Sequence, residues 1–163
     1  MARTETDRED LMQEATALVR RVEFVVPGDS QPIVAGIRAG GELSIYFGAE
    51  AVFHFDAHGG LRRAFADGLL YRTQGATLAR LRRERTPSAT TLVRHDLTVD
   101  ELDAFVADLR QRLQAVRTAF TEGQMRVVRQ VPEDDELMGL LIPRIDEILS
   151  SGPSLAPAIR GKR

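Results

Sequence analysis

Short runs of alternating apolar and polar residues fill the middle of the chain, from residue 33 to residue 97. Turn-forming glycines separate these runs at Gly40, Gly59, Gly68 and Gly75. Alternation with a period of two, interrupted at this spacing, is typical of strands that are joined by tight turns. The pattern predicts an α+β fold around an antiparallel β-meander of about six or seven short strands, which form a strongly bent sheet or a partial barrel.

The period of two also assigns side chains to the faces of the predicted sheet. In residues 61–67, Leu61, Arg63 and Phe65 alternate with smaller or charged residues, and the size of Phe65 favours the odd-numbered face as the inner one. The segment Thr77–Arg85 is compatible with either helix or strand, and the glycine before it and the proline after it favour a strand.

Apolar residues at helical spacing precede the meander and follow it. Residues 7–21 carry such a pattern behind a capping box formed by Thr6 and Glu9, which predicts an N-terminal amphipathic helix. A second capping box, beginning at Thr98, opens a longer apolar stripe. This stripe predicts a long helix at about 98–120.

The chain after this long helix is less regular. Gly123 is expected to end the helix, and residues 124–130 fit either a helix or a returning strand. Pro132, followed by four acidic residues, predicts the start of a C-terminal helix. Pro143 interrupts that helix and is expected to kink or split it, because proline lacks the amide hydrogen that the helix needs.

The length of 163 residues predicts one domain. We assign residues 1–150 to a single α+β domain and the Ser-, Pro- and Gly-rich residues 151–163 to a flexible tail. The absence of cysteine excludes disulfides and thiolate chemistry. No apolar run approaches the roughly 20 residues of a membrane span, and the first residues are acidic rather than basic and apolar. A cytoplasmic protein without membrane contact is therefore expected.

Charge is distributed unevenly along the sequence. Residues 57–95 hold eight arginines and two acidic residues, a net charge of +6, whereas the whole chain carries −2. Several of these arginines fall on neighbouring predicted strands and would form a basic sheet face that binds the phosphates of a nucleic acid. The alternative is that they pair with acidic residues of the flanking helices. The candidate anion-binding or nucleic-acid-binding residues are Arg62, Arg72, Arg80, Arg82, Arg83 and Arg85.

One segment has the residue types of a facial metal site. His54, Asp56 and His58 alternate, and they would project from one face if the strand kept its register. Two imidazoles and a carboxylate are ligands of open zinc or iron sites. Because Gly59 and Gly60 follow directly, the alternative is that His58 already lies in a turn and that the three residues are only the exposed side of a strand.

The sequence shows no motif of a known catalytic centre. It has neither the G-x-S-x-G pattern of a nucleophilic serine nor the G-x-x-x-x-G-K-[ST] loop that binds phosphates. We therefore assign no catalytic residue and expect no cofactor.

Taken together, these patterns favour a non-catalytic cytoplasmic binding or assembly module of unknown ligand. Its partner is expected to be another protein or a second copy of the chain, which would form a homodimer. An edge strand of the meander or the apolar segment Leu137–Leu149 would supply the contact. There are two alternatives: a nucleic-acid-associated protein that uses the arginines, and a metal-dependent enzyme at His54, Asp56 and His58.

Overall fold

The computed structural model describes residues 10–29, 31–38, 40–74 and 77–150 of the chain. Helix α1 covers residues 10–16, and strands β1 to β8 are Arg21–Val25, Ile33–Ile37, Leu43–Phe47, Ala51–Phe55, Leu61–Ala66, Leu69–Gln74, Thr77–Arg85 and Thr90–Asp96. They are followed by helix α2 (Val99–Thr121), strand β9 (Arg126–Val131) and helix α3 (Leu137–Leu149). None of the helices in the described residues is both long enough and apolar enough to cross a membrane.

The strands form one antiparallel sheet in which each strand of the meander pairs with the next. Strand β9 returns to pair with β1, so β8 and β9 are the two edges of an open sheet. The α+β class and the meander are confirmed, with nine strands in the described part of the chain. Thr77–Arg85 is a strand, as expected, and it pairs with both of its neighbours.

Helix α2 carries the chain from the β8 edge to the β9 edge and packs with α3 on one side of the sheet, which we call the long-helix face. Apolar side chains from β1 to β5, from β7 and from both helices form the main core there. Burial of each large apolar side chain contributes about 1.5–3 kcal/mol. The fully buried residues include Phe24, Phe53, Leu109, Leu113 and Leu141.

Helix α1 packs on the opposite side of the sheet, which we call the α1 face. Leu11 and Ala15 of the helix form a second buried cluster with Val34 and Tyr46 of the sheet. Helices therefore cover both faces of β2, and every residue of Ile33–Ile37 is buried.

The N-terminal helix is shorter than the predicted span of residues 7–21. Its described part ends at residue 16, and β1 already begins at Arg21. The spacing of Val22 and Phe24 is compatible with a strand as well as with a helix. This segment is a strand because it pairs with β2 and β9. The predicted capping box that begins at Thr6 lies outside the described residues, as does the predicted tail.

The chain after α2 forms the returning strand, which was one of the two structures expected for residues 124–130. The prediction that Pro132 begins a helix was wrong. Residues 132–136 form a turn instead, in which the amide of Asp135 donates to the carbonyl of Pro132 (3.3 Å). The Asp135 carboxylate pairs with Arg20 (3.0 Å). The acidic residues thus belong to a turn and an ion pair rather than to a helix N-terminus.

Helix α3 begins only at Leu137 and continues through Pro143 without the predicted split. Most of its apolar residues, which motivated the predicted docking of this segment on a neighbour, are buried in the chain's own core, and Leu140 is exposed. Arg144 donates hydrogen bonds to the carbonyl oxygens of Gly41 and Ala57, and it thereby ties α3 to two turns of the meander.

Both ends of α2 agree with the sequence. The Thr98 hydroxyl accepts a hydrogen bond from the amide of Glu101 (3.1 Å), and the Glu101 carboxylate accepts one from the amide of Thr98 (2.9 Å). At the other end, Gly123 has a φ of 69° and donates to the carbonyl of Phe120 (3.1 Å), while the next amide donates to Ala119 (2.8 Å). This is a Schellman motif, for which glycine is the favoured residue.

A β-bulge in β5 changes the face predicted for part of that strand. Leu61 and Arg62 together oppose the single residue Phe55, so the alternation shifts by one residue. Leu61 is buried on the long-helix face, whereas Phe65 is buried on the α1 face beside Arg63. The prediction of one inner odd-numbered face was wrong, because the bulge breaks the alternation and both faces of the sheet are covered here.

Candidate anion-binding site

A row of polar side chains crosses the α1 face from β3 to β6. Ser44 lies opposite His54, and His54 lies opposite Arg63. Arg63 in turn lies opposite Arg72. Residues that are directly opposite in antiparallel strands share a face, with Cβ atoms about 4.5–5.5 Å apart. These four residues, which we call the polar row, therefore form a continuous line beside the residues that contact α1.

Arg63 and Arg72 bring two like charges together within this row. Like charges directly opposite each other destabilise a sheet. Both side chains are exposed, and among the described residues neither guanidinium has a carboxylate within ion-pair distance. Within the described ranges, no carboxylate therefore forms an ion pair with either arginine.

The polar row lines a surface cleft of about 330 Å³, which we call the arginine groove. Arg38 and Arg62 line it as well, so four arginines converge there. Of the two acidic residues in the lining, Glu42 pairs with Arg38 (3.7 Å) and Asp56 accepts hydrogen bonds from backbone amides of its own turn (2.9 Å). The arginines outnumber the acidic residues, and the groove therefore attracts anions.

His54 lies largely buried in the middle of the row. Its Nδ1 is 2.7 Å from the hydroxyl of Ser44, and its ring packs edge-on to Tyr46 with the centroids 6.0 Å apart. Burial, together with the nearby charges of Arg63 and Arg38, lowers the pKa of His54 to about 4. The imidazole is therefore neutral at pH 7, and it offers hydrogen bonding to a ligand without adding charge.

The six arginines selected from the sequence do not share one face. Arg80 and Arg82 lie on the long-helix face, since Arg80 is opposite the core residue Tyr71. Arg80 pairs with Glu101 of α2 (3.6 Å), and Arg82 pairs with a glutamate of its own strand (2.7 Å). The predicted alternative, pairing with acidic residues of the flanking helices, therefore applies to Arg80, whereas the partner of Arg82 lies in the sheet. The remaining four are Arg72, Arg83 and Arg85 on the α1 face and Arg62 at the bulge.

The structure does not bring the three candidate metal ligands together. Strand β4 ends at Phe55, and the Asp56 carboxylate accepts hydrogen bonds from the amides of His58 and Gly60 within the turn. The side chain of His58 is exposed, whereas His54 faces the groove. Within the described ranges, no three His, Asp or Glu side chains are placed to share a metal ion.

Sequence reasoning missed Ser44, Arg38 and Arg63 as members of this site. Arg63 was assigned to the inner face because regular alternation was assumed through β5. Ser44 and Arg38 belong to no motif: strand pairing brings Ser44 to the groove, and Arg38 lies directly after β2. A usable signal was the adjacency of Arg62 and Arg63, because neighbouring residues of a regular strand point to opposite faces and one of them must share the face of His54.

A separate cleft of about 320 Å³ lies between α2 and the ends of β1 and β3. Arg112 lines it, with its Nε 2.9 Å from the Asp108 carboxylate and its guanidinium over the ring of Phe47, 5.4 Å from the centroid. Because the Asp108 carboxylate already pairs with this guanidinium, the cleft is a weaker candidate for anion binding than the arginine groove.

Comparison with known proteins found no family model, no curated protein and no solved structure that matches this chain significantly. The residues of the groove are therefore the basis for a candidate function.

Proposed function

We propose that the protein is a non-catalytic cytoplasmic binding module whose ligand is an anion held in the arginine groove. The observation that carries this proposal is the pair of Arg63 and Arg72, which face each other without a carboxylate partner among the described residues. An anion between the two guanidinium groups would replace their repulsion by charge-assisted hydrogen bonds. Phosphates and carboxylates are the anions whose geometry suits arginine.

The rest of the groove supports binding rather than catalysis. Arg62 adds positive charge to the lining, while the charge of Arg38 is offset by Glu42 (3.7 Å), and Ser44 adds a hydroxyl. A pKa of about 4 makes His54 a weak base at neutral pH, whereas efficient proton transfer needs a pKa near the working pH. His54 is therefore suited to hydrogen bonding with a bound anion.

A nucleic acid is the second candidate ligand, and the position of Arg83 and Arg85 favours it. Both lie on the α1 face, in the part of β7 that extends beyond β6 and pairs only with β8. A phosphate backbone bound in the groove would therefore continue along this two-stranded extension. The tyrosines weigh against it, since single-stranded nucleic acids usually stack on exposed aromatic rings. Tyr71 packs on Phe105 of α2 (4.7 Å between centroids), and Tyr46 is buried.

Substitution of Arg63 and Arg72 tests the proposal. Phosphate or pyrophosphate is expected to raise the unfolding temperature of the wild-type protein more than chloride does at equal ionic strength, because a ligand of the folded state stabilises it. Arg63→Gln and Arg72→Gln are each expected to weaken this binding about 10- to 100-fold. Without ligand, either variant is expected to be more stable than the wild type, by up to about 1 kcal/mol, because the repulsion is removed. Thermal unfolding and titration calorimetry measure both effects.

Arg126→Gln is the matched control, because Arg126 is also exposed and lies on β9, at the edge of the sheet away from the groove. This variant is expected to bind anions with wild-type affinity. The proposal fails if the wild type shows no anion-specific stabilisation, or if Arg126→Gln weakens binding as much as Arg63→Gln does.

A further inference from the structure

The arginine groove continues into a second cleft, of about 170 Å³, and the two clefts share His54, Arg63 and Arg72. Leu70 and Leu81 lie directly opposite each other in this second cleft, and both are partly exposed. We call these two leucines the apolar floor. Leu70 lies two residues from Arg72 on β6, so an apolar surface and a cation that has no ion-pair partner in the described part of the chain are neighbours on the same face.

The apolar floor lies at the border of the area that α1 covers. The buried cluster under α1 is formed by residues of β2 to β5, such as Val34, Val52 and Phe65, while Leu70 is only partly buried beside it. Single exposed leucines are common on protein surfaces and need no explanation. Here, however, the leucines form a cross-strand pair in a cleft that also contains the two opposed arginines.

The wall of the second cleft carries negative charge. Asp10 and Glu14 of α1 line it, and Glu14 accepts a hydrogen bond from the hydroxyl of Tyr46 (3.1 Å). Burial and the charge of Glu14 raise the pKa of Tyr46, so this hydroxyl stays protonated as a donor at neutral pH. A nucleic acid carries a charge on every nucleotide, and these carboxylates would repel it along the cleft. An uncharged group meets no such repulsion.

We infer that the ligand is a small amphipathic phosphate, with its phosphate group between Arg63 and Arg72 and its apolar body on Leu70 and Leu81. This inference rests on the proposed function, because it names the ligand class of the same groove. The geometry favours a phosphate over a carboxylate, since several terminal oxygens match several guanidinium groups, whereas one arginine satisfies a carboxylate through two parallel hydrogen bonds.

A series of n-alkyl phosphates from methyl to hexyl, with inorganic phosphate as the reference, tests the inference by titration calorimetry below the concentrations at which the probes form micelles. Each methylene that the apolar floor buries is expected to raise the affinity about fourfold. Leu81→Thr is expected to keep the wild-type affinity for inorganic phosphate and to flatten the dependence on chain length. Leu92→Thr is the matched control, since Leu92 is an exposed leucine of β8 outside the cleft lining. Threonine suits strands, so both variants are expected to fold.

The outcomes separate this inference from the proposed function. Suppose that phosphate binds through Arg63 and Arg72 but that affinity does not depend on the alkyl chain length. The inference is then overturned and the proposed function stands. The same holds if Leu92→Thr weakens the dependence on chain length as much as Leu81→Thr does. If a single-stranded oligonucleotide binds more tightly than every alkyl phosphate and displaces it, the ligand is a nucleic acid and the inference is again overturned. If neither phosphate nor any alkyl phosphate binds, both the inference and the proposed function are overturned.

Discussion

Arg62 and Arg63 show how one extra residue in a strand redistributes charge over a sheet. Regular alternation would put Leu61, Arg63 and Phe65 on a single face. The bulge keeps Leu61 in the main core and turns Arg63 to the α1 face, opposite His54 and Arg72. Bulges are frequent where a side chain has to be re-aimed next to a binding site. The opposed arginines of the groove thus depend on the position of this one bulge.

The low pKa of His54 predicts a pH dependence of stability. Its pKa is about 4 in the folded protein and 6.5 in an unfolded chain, so the unfolded state binds the proton first as the pH falls. The free energy of unfolding is therefore expected to be unaffected by His54 above pH 6.5 and to fall between about pH 6.5 and pH 4. The total loss is roughly 3 kcal/mol. Urea unfolding of the wild type and of His54→Gln across this range measures the effect.

The difference between the two proteins isolates His54, because the acidic residues titrate in both. The stability of His54→Gln is expected to fall less steeply between pH 6.5 and pH 4. Equal slopes, or an imidazole NMR titration of His54 with a midpoint near 6.5, would contradict the low pKa and the burial that causes it.

At the scale of elements, the start of α2 is joined to the end of the meander through Glu101. The hydrogen bond from the Thr98 amide is the main cause that lowers the pKa of this carboxyl. The same carboxylate lies 3.6 Å from Arg80 and 3.7 Å from His95, on strands β7 and β8. The capping box therefore also orients the helix against the sheet edge from which it departs.

Thr98→Ala is expected to lower the free energy of unfolding by about 1 kcal/mol, within a range of about 0.5–2 kcal/mol, because the alanine leaves the amide of Glu101 without its acceptor. Thr118→Ala provides the same substitution at an exposed position inside the same helix and is expected to change stability by less than about 0.5 kcal/mol. Urea unfolding measures both, and equal losses in the two variants would show that the cap has no special role.

At the scale of the whole molecule, α3 belongs to the core of its own chain. Leu137, Leu141, Ile145 and Ile148 are almost completely buried, and Asp146 pairs with an arginine of α2 (2.7 Å). Most of the apolar face that was predicted to dock on a neighbour is thus buried within its own chain, with Leu140 left exposed. Self-association and a protein partner stay predictions, and the outer edges of β8 and β9 are the surfaces where an added strand would pair.

Two adjacent leucines of α3 test this assignment. Leu141→Ala is expected to lower the free energy of unfolding by about 2–5 kcal/mol, because it leaves a cavity in the core. Leu140→Ala is expected to lower the free energy of unfolding by less than about 1 kcal/mol, because Leu140 is 45% exposed. Urea unfolding and sedimentation of both variants provide the measurements. A dimer that Leu140→Ala dissociates, or equal stability losses in the two variants, would contradict an α3 that serves only its own core.

The sequence by itself determined the features that depend on neighbouring residues. Turn chemistry located the hairpins, as at Asp67 and Gly68, where both residues adopt the positive φ that the dipeptide allows (55° and 78°). The capping box at Thr98 and the glycine at Gly123 marked both ends of α2, because each satisfies orphan backbone groups within a few residues. The α+β class followed from these local signals.

Only the tertiary structure decided which strands pair and which side chains meet. Strand β9 pairs with β1 across about a hundred residues of sequence, and α1 covers a face that period-two counting treated as exposed. The arginine groove depends on contacts between distant residues, since His54, Arg63 and Arg72 come from three strands, Arg38 directly follows β2, and a bulge sets the register of Arg63. Periodicity in the sequence indicates only on which side of its own strand a side chain lies. Strand pairing, bulges and the helices that cover the sheet depend on contacts between distant parts of the chain.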